Sequence, residues 1–219
     1  MNYNFADYIQ EGWLVIYMDD LAIGAHSTDD LNRKVCLILQ CFCDLNLTLK
    51  LSKCEFNKPE VEFLGMIIGS GCIRMDPAKL SAIATWPPPK TVKAVHALLG
   101  FCNFYRKFIP NFSNIVAPLT ALTCKNTPWT WGEDQQSLFS ILLSLFQSAP
   151  VLHLPDIQQP FIVMTDASLL SSRAVLMQWD GNSDLHPCAY LSQTFSPAEQ
   201  NYDIYDRKLF AVIHALEHW

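Results

Sequence analysis

The 219-residue chain is half hydrophobic, with 13 Phe, 7 Tyr and 6 Trp, which excludes a globally disordered protein and leaves room for one large domain or two small ones. Its net charge of −6 argues against a simple nucleic-acid-coating protein. The charge is uneven, however: residues 90–125 carry five Lys and Arg and no acid, between flanks that sum to −4 and −7.

Residues 5–11 read as the end of a helix and 13–24 as strand, turn, strand. A helix follows, capped by Ser27 or Thr28, with Asp29 and Asp30 in its first turn and Leu31, Val35, Ile38, Leu39 and Phe42 at helical spacing. "TLKLSKCEF" and "VEFLGMIIGSGCIRM" read as short strands, turned at Gly69-Ser70-Gly71. "WPPPKT" (86–91) breaks the pattern, because consecutive prolines fit neither helix nor central strand, and places a domain boundary there.

Residues 91–109 read as a helix with an apolar stripe (Val92, Val95, Leu99, Cys102) beside a basic and polar one (Lys93, His96, Gly100, Asn103, Lys107). Gly100 costs roughly 1 kcal/mol against Ala there, and close approach of another backbone is one reason to keep it. A second helix spans about 134–147. Strands then read at "PFIVMTDAS", "RAVLMQW" and "AYLSQTF". From Ser196, as cap, and Pro197 a long helix runs to the end of the chain, with Tyr205, Leu209, Val212, Leu216 and Trp219 as its core stripe.

Eight cysteines without a C-x-x-C pair argue against a zinc ribbon and for reduced thiols in an intracellular setting, cytoplasmic or nuclear. No signal-peptide pattern opens the chain, and apolar runs such as "LFSILLSLF" are too short to span a bilayer, so no membrane partner is expected.

"VIYMDDLAIG" (15–24) sets Asp19 and Asp20 between two apolar strands. Adjacent carboxylates at a hairpin tip repel unless a cation lies between them. Mg²⁺ takes oxygen ligands, commonly one or two carboxylates plus substrate phosphates, and a two-metal pair can hold both oxygens of an in-line phosphoryl displacement. The hairpin is therefore half of a plausible nucleotidyl-transfer site; Asp-Asp by itself also fits a solvated hairpin tip.

"YMDD" in this context is similar to the signature of reverse transcriptases, and the match continues in order along the whole chain. The sequence resembles the polymerase and ribonuclease H region of gypsy-type long-terminal-repeat retrotransposons. "VIYMDDLAIG" resembles the palm hairpin and "KCEF…VEFLGMIIGSGCIRMDPAKL" the strands that grip the primer end. "TVKAVHALLGFCNFYRKFIPNFSNIVAPLTALT" resembles the thumb, "PWTWGEDQQSLF…APVLHLPDIQQPF" the connection, and "VMTDAS…AYLSQTFSPAEQNYDIYDRKLFAVIHALEHW" the start of ribonuclease H.

The resemblance implies an α+β or α/β fold in three parts: the end of a palm with primer-grip strands (1–86), thumb and connection helices (87–150), and a truncated ribonuclease H-like mixed α/β domain (151–219). It implies Mg²⁺ held by Asp19 and Asp20 for polymerisation and by Asp166 for the endonuclease. Tyr17 and Met18 would approach the primer end, and Leu64 and Gly65 would belong to the primer grip. Gly100 would lie on the duplex-facing side of the thumb, where Lys93, Asn103, Arg106 and Lys107 would meet phosphates, in keeping with the acid-free basic block. The implied partners are an RNA/DNA primer–template, deoxynucleoside triphosphates, and the rest of a polyprotein: fingers, remaining ribonuclease H and integrase.

The chain also departs from the family pattern. It begins just before the palm hairpin, so Asp19 and Asp20 lack the family's upstream third carboxylate, and it ends inside ribonuclease H, before a later metal aspartate. Lys208 stands where the family has a metal-binding Glu, and a charged ammonium has no lone pair to offer. Lys208 is expected to pair directly with Asp166 in the cation's place. Arg173 stands where the family prefers Gly. Neither activity is expected to survive in this chain alone, and the alternative is a non-enzymatic remnant that at most binds duplex through 90–125. "HALEH" (214–218) fits H-x-x-E-H of zinc proteases but has no third ligand; the other histidines form no cluster.

Overall fold

Local chemistry sets the elements of a computed structural model that describes residues 2–181 and 183–219. The chain divides into two compact units, 1–70 and 71–219. In the first, a 3-10 turn (Asn2–Phe5) leads into α1 (Ala6–Gln10), and β1 (Leu14–Tyr17) pairs antiparallel with β2 (Asp20–Ile23). Ser27 is the cap of α2 (Thr28–Asp44): its hydroxyl accepts the Asp30 N–H at 3.2 Å. Arg33 and Lys34 pair with Asp30 at 2.8 and 2.7 Å and hold its carboxyl down at about 2. Lys34 is itself buried and also donates to the Gly24 carbonyl at 3.0 Å. Phe5, Leu14, Ile38 and Phe42 form the core here, with Phe5 and Phe42 edge to face at 5.7 Å.

"TLKLSKCEF" is not a strand. Leu47, Leu49 and Leu51 are exposed, so the alternation buries no face, and the segment makes only a 3-10 turn at Leu51–Lys53. Pairing resumes with β3 (Glu60–Phe63) and β4 (Met66–Gly69), joined at Leu64-Gly65. Both turn residues have left-handed φ, 51° and 69°, as two-residue hairpin turns with the strand twist require. At Gly69 a Cβ would lie 2.3 Å from the Pro59 carbonyl oxygen, so only glycine lets the strands close there. The expected turn at 69–71 is present as left-handed φ at Ser70 and Gly71.

In the second unit β5 (Cys72–Met75) precedes α3 (Pro77–Ala84), which Asp76 caps. The proline-rich residues form an irregular link to α4 (Val92–Phe104), capped by Thr91. α5 (Phe112–Ala121) and α6 (Glu133–Gln147) follow, and β6 (Leu152–His153) pairs antiparallel with β5. The buried residues Val95, Leu98, Cys102, Phe108, Leu119, Leu142 and Phe146 come from this run of helices. The helix expected over 91–109 stops at Phe104. Tyr105, Phe108, Ile109 and Phe112 are all buried, and a 3-10 turn at Arg106–Phe108 is what seats them. The buried stripe of α4 accordingly runs through Leu98 rather than Leu99.

β7 (Ile162–Ala167), β8 (Ser171–Trp179) and β9 (Leu185–Thr194) form an antiparallel meander, with a bulge at Leu176/Met177. The last helical stretch is two helices. A capping box between Ser196 and Glu199 starts α7 (Pro197–Gln200), and Asp203 recaps the chain by accepting the Tyr205 and Asp206 N–H groups to start α8 (Ile204–His218). The expected core stripe of α8 is overturned. Tyr205, Leu209, Val212, Leu216 and Trp219 are exposed, and the helix buries Ala211 and Ala215 instead. These small residues let α8 lie close against Ala167, Ala174, Leu191 and Phe195. Among the described residues no helix is long and apolar enough to cross a membrane.

Burial divides the thiols. Cys102 is fully buried and pushed up to about 12, and burial also raises Cys188, whereas Cys36, Cys43 and Cys124 are exposed. Alkylation of the folded chain at pH 8, read by peptide mass spectrometry, is expected to modify the exposed three and to spare Cys102 and Cys188 until denaturant is added. Early modification of Cys102 would contradict this packing.

Candidate active sites

The β1–β2 hairpin turns through Met18 and Asp19, with Tyr17 and Asp20 as the closing pair. Met18 has φ 53° and is 78% exposed, so the turn pushes its side chain outward rather than into the core. Asp19 and Asp20 are exposed, as is Tyr17, and the two aspartates are neighbours at one tip. Oxygen donors on an exposed tip suit a hard divalent ion that keeps part of its coordination for water or phosphate. Among the described residues no third ligand joins them: the one metal-type group of three lies elsewhere. Leu64 and Gly65 occupy the tip of the β3–β4 hairpin of the same unit.

On α4, Lys93, His96, Gly100 and Asn103 all lie exposed on one face. A Cβ added at Gly100 would meet nothing, so no close approach within the chain requires the glycine. Arg106 and Lys107 do not continue this face. Both lie beyond the helix end, half-buried, and burial lowers the pKa of each. Arg106 donates to the Ser192 carbonyl on β9 and lies 5.8 Å from the Phe112 ring centroid. Lys107 lies 5.6 Å from the Phe108 ring.

Asp166 sits near the end of β7, directly opposite Arg173 on β8. The Arg173 guanidinium donates to the Asp166 Oδ2 through both Nε, at 3.0 Å, and Nη2. That hydrogen bonding holds the carboxyl below the usual carboxylate range, with Lys208 adding only a weaker charge effect. Thus the expected Lys208–Asp166 pair is not formed; Arg173 takes that role because strand register puts it across the ladder. Both side chains are about half exposed, 51% for Arg173 and 45% for Asp166. They line an open groove of about 300 Å³ with Pro110, Asn111, Met164 and Tyr190.

The histidines differ from expectation. His186 bonds Asp180 at 3.1 Å and, with Asp184, forms a group of potential ligands; the His153 and His186 rings stack at 5.8 Å. The strand pairing that brings them together leaves no spacing signal in the sequence. His214 Nδ1 lies 3.1 Å from the Ser172 hydroxyl, and its ring packs on Phe195 and Phe210, which ties it to the sheet. His218 is exposed beside Trp219, and neither it nor His214 belongs to the three-ligand group found among the described residues.

Residues 1–68 match the family described as reverse transcriptase (RNA-dependent DNA polymerase), and residues 131–219 match an RNase H-like domain found in reverse transcriptase. The chain is 36% identical over 202 residues to the retrovirus-related Pol polyprotein from transposon 297 of Drosophila melanogaster, covering 92% of this chain and 19% of that protein. It is 32% identical over 210 residues to the transposon Tf2-3 polyprotein of Schizosaccharomyces pombe, covering 96% and 16%. It thus spans about a fifth of the length of the curated relatives it matches. Its mixed α/β fold resembles the foamy viral protease-reverse transcriptase in complex with RNA/DNA hybrid (TM-score 0.82, 22% identity, 99% of this chain and 30% of that one). The same protein in complex with dsDNA gives 0.77, 23%, 98% and 46%. Residues 1–68 belong to the reverse transcriptase family and residues 131–219 to the RNase H-like domain family found in it, in a chain homologous to the Pol polyproteins of long-terminal-repeat retrotransposons.

Proposed function

We propose that this chain supplies the metal-binding hairpin and a duplex-holding surface of a retrotransposon RNA-directed DNA polymerase. The exposed Asp19-Asp20 tip carries this reading. Asp19 and Asp20 would hold Mg²⁺, whose positive charge offsets the charge that develops on the transferring phosphoryl oxygens. Tyr17 and Met18, exposed on the same hairpin, would lie against the primer end, with Leu64 and Gly65 on the neighbouring hairpin as grip. The exposed face of α4 would follow the primer–template: Lys93 meets a phosphate, Asn103 donates hydrogen bonds, and Gly100 lets the nucleic-acid backbone come close. The ammonium of Lys107 and the guanidinium of Arg106 are engaged inside the fold and would position this surface rather than form it. In this reading palm, thumb with connection, and ribonuclease H-like parts occupy 1–86, 87–150 and 151–219.

A second reading keeps the duplex contact and drops catalysis. It is favoured by the lack, among the described residues, of a third ligand beside Asp19 and Asp20.

The duplex surface is tested by binding to a labelled RNA/DNA hybrid across a salt series. Lys93→Ala is expected to flatten the slope of log K against log salt by about one unit. Gly100→Ala is expected to raise stability by up to ~1 kcal/mol, since its methyl meets nothing in the free chain, and yet to weaken binding. Full-strength binding by both variants would remove α4 from the contact. The two readings part on primer extension.

A further inference from the structure

The residues around Asp166 do not fit the divalent ion that the family resemblance implies at this carboxylate. We propose that Arg173 is the resident counter-ion of Asp166, and that this end of the β7–β8 ladder binds no divalent metal. The inference rests on Asp166 being the metal-facing residue of the ribonuclease H-like part.

Three observations carry it. First, Oδ2 of Asp166 already accepts two N–H groups from one guanidinium, in a geometry fixed by strand register rather than by a flexible reach from afar. An incoming ion would be left with Oδ1 alone and would sit beside the guanidinium charge. Second, the surrounding charge is positive. Lys208 on α8 acts on the same carboxylate, and Arg207, one residue earlier, is tied to the strand end through the Ser168 carbonyl at 3.1 Å. Third, no second carboxylate helps. The groove beside the pair is lined by Pro110, Asn111, Met164, Thr165, Val175 and Tyr190, and Asp166 is its only acid. Nor does Asp166 belong to any three-ligand group found among the described residues. A hard ion of charge +2 with one carboxylate already paired and two cations acting on it has no basis for binding.

Arg173 and Lys208 each place a positive charge on Asp166, and together they offset its charge without metal. The β7–β8–β9 sheet can then fold and pack against α8 whatever the metal supply.

The test is Mn²⁺ titration of the ¹⁵N-labelled full chain, reading paramagnetic broadening of the Thr165, Asp166 and Ala167 amides. The Asp166→Asn comparison separates an ion held at this carboxylate from ions bound at other acidic groups. The wild-type chain is expected to show no broadening there that Asp166→Asn removes. Arg173→Gly combined with Lys208→Glu is expected to gain it, at Mn²⁺ concentrations lower by about tenfold or more. Arg173→Gly alone serves if the double variant loses the amide dispersion of the sheet. Wild-type broadening that Asp166→Asn abolishes would overturn the counter-ion role and leave Asp166 a metal ligand. No broadening in either the wild type or the variants would overturn the inference from the other side, because Asp166 would then not face metal at all.

Discussion

Asp19→Asn is expected to cut nucleotide incorporation by about a thousandfold. The magnitude follows from the role. A metal ion at a transferring phosphoryl group is worth several kcal/mol of transition-state charge stabilisation, and every 1.36 kcal/mol is about tenfold in rate. Asn keeps the shape of Asp but offers one neutral oxygen to the ion instead of a carboxylate. The hairpin itself should tolerate the change: Asp19 is an exposed turn residue, and Asn is at home in such turns. The measurement is primer extension by a chimaera in which these 219 residues replace the segment they match in the transposon 297 polyprotein. Extension by the parent chimaera and its loss in Asp19→Asn supports the polymerase reading. Equal extension by both would remove Asp19 from the reaction. A parent chimaera that binds hybrid but never extends a primer leaves the non-catalytic reading.

The largest expected loss of stability comes from a different place. Phe146→Ala is expected to cost about 3–5 kcal/mol, against a total of roughly 5–15 kcal/mol for a typical domain. Phe146 is fully buried at the end of α6, edge to face with Phe101 at 6.2 Å, and Phe101 in turn contacts Trp86 and Tyr105. Truncation leaves a cavity where the aromatic chain converges, and the rings around it have no simple way to collapse inward. Guanidinium denaturation followed by tryptophan fluorescence measures it, with Trp86 as the near reporter. The control is Phe161→Ala, an exposed ring expected to cost no more than roughly 0.5 kcal/mol. Equal losses for the two would contradict the burial pattern.

The element order was readable because the chain punctuates it with explicit chemistry. Ser27 and Ser196 each cap a helix where the sequence puts its start, and the triple proline falls in the irregular link between α3 and α4, inside the second unit rather than at the division after residue 70. The errors share one physical origin, namely that periodicity reports which residues could be buried but not which face finds a partner. On α8 the bulky stripe looked like a core, yet the sheet accepts Ala211 and Ala215, whose short side chains let the helix approach. At 47–51 the alternation of leucines resembled a strand with no strand to pair. At Tyr105 the burial of four aromatic and aliphatic residues outweighed a helical pattern that ran on to Ile109. Of the candidate sites, the Asp19-Asp20 tip was legible because both residues are adjacent in sequence. The Asp166–Arg173 pair was not, because its partners are seven residues apart and meet only through the register of β7 on β8. Asp180, Asp184 and His186 were missed for the same reason, across the β8–β9 turn.

The tie between the helical run and the meander has a consequence for how the chain withstands mutation. Arg106 and the Ser113 hydroxyl, the latter at 2.7 Å, both end on the main-chain carbonyl of Ser192; only the Ser113 N–H uses the Ser192 side chain, at 3.0 Å. A carbonyl is the one acceptor that every amino acid supplies. Ser192→Ala would therefore delete one of the three hydrogen bonds and leave the other two standing. The linkage is written into the polymer rather than into its alphabet, so at this buried position a small side chain of either polarity keeps the two layers fastened.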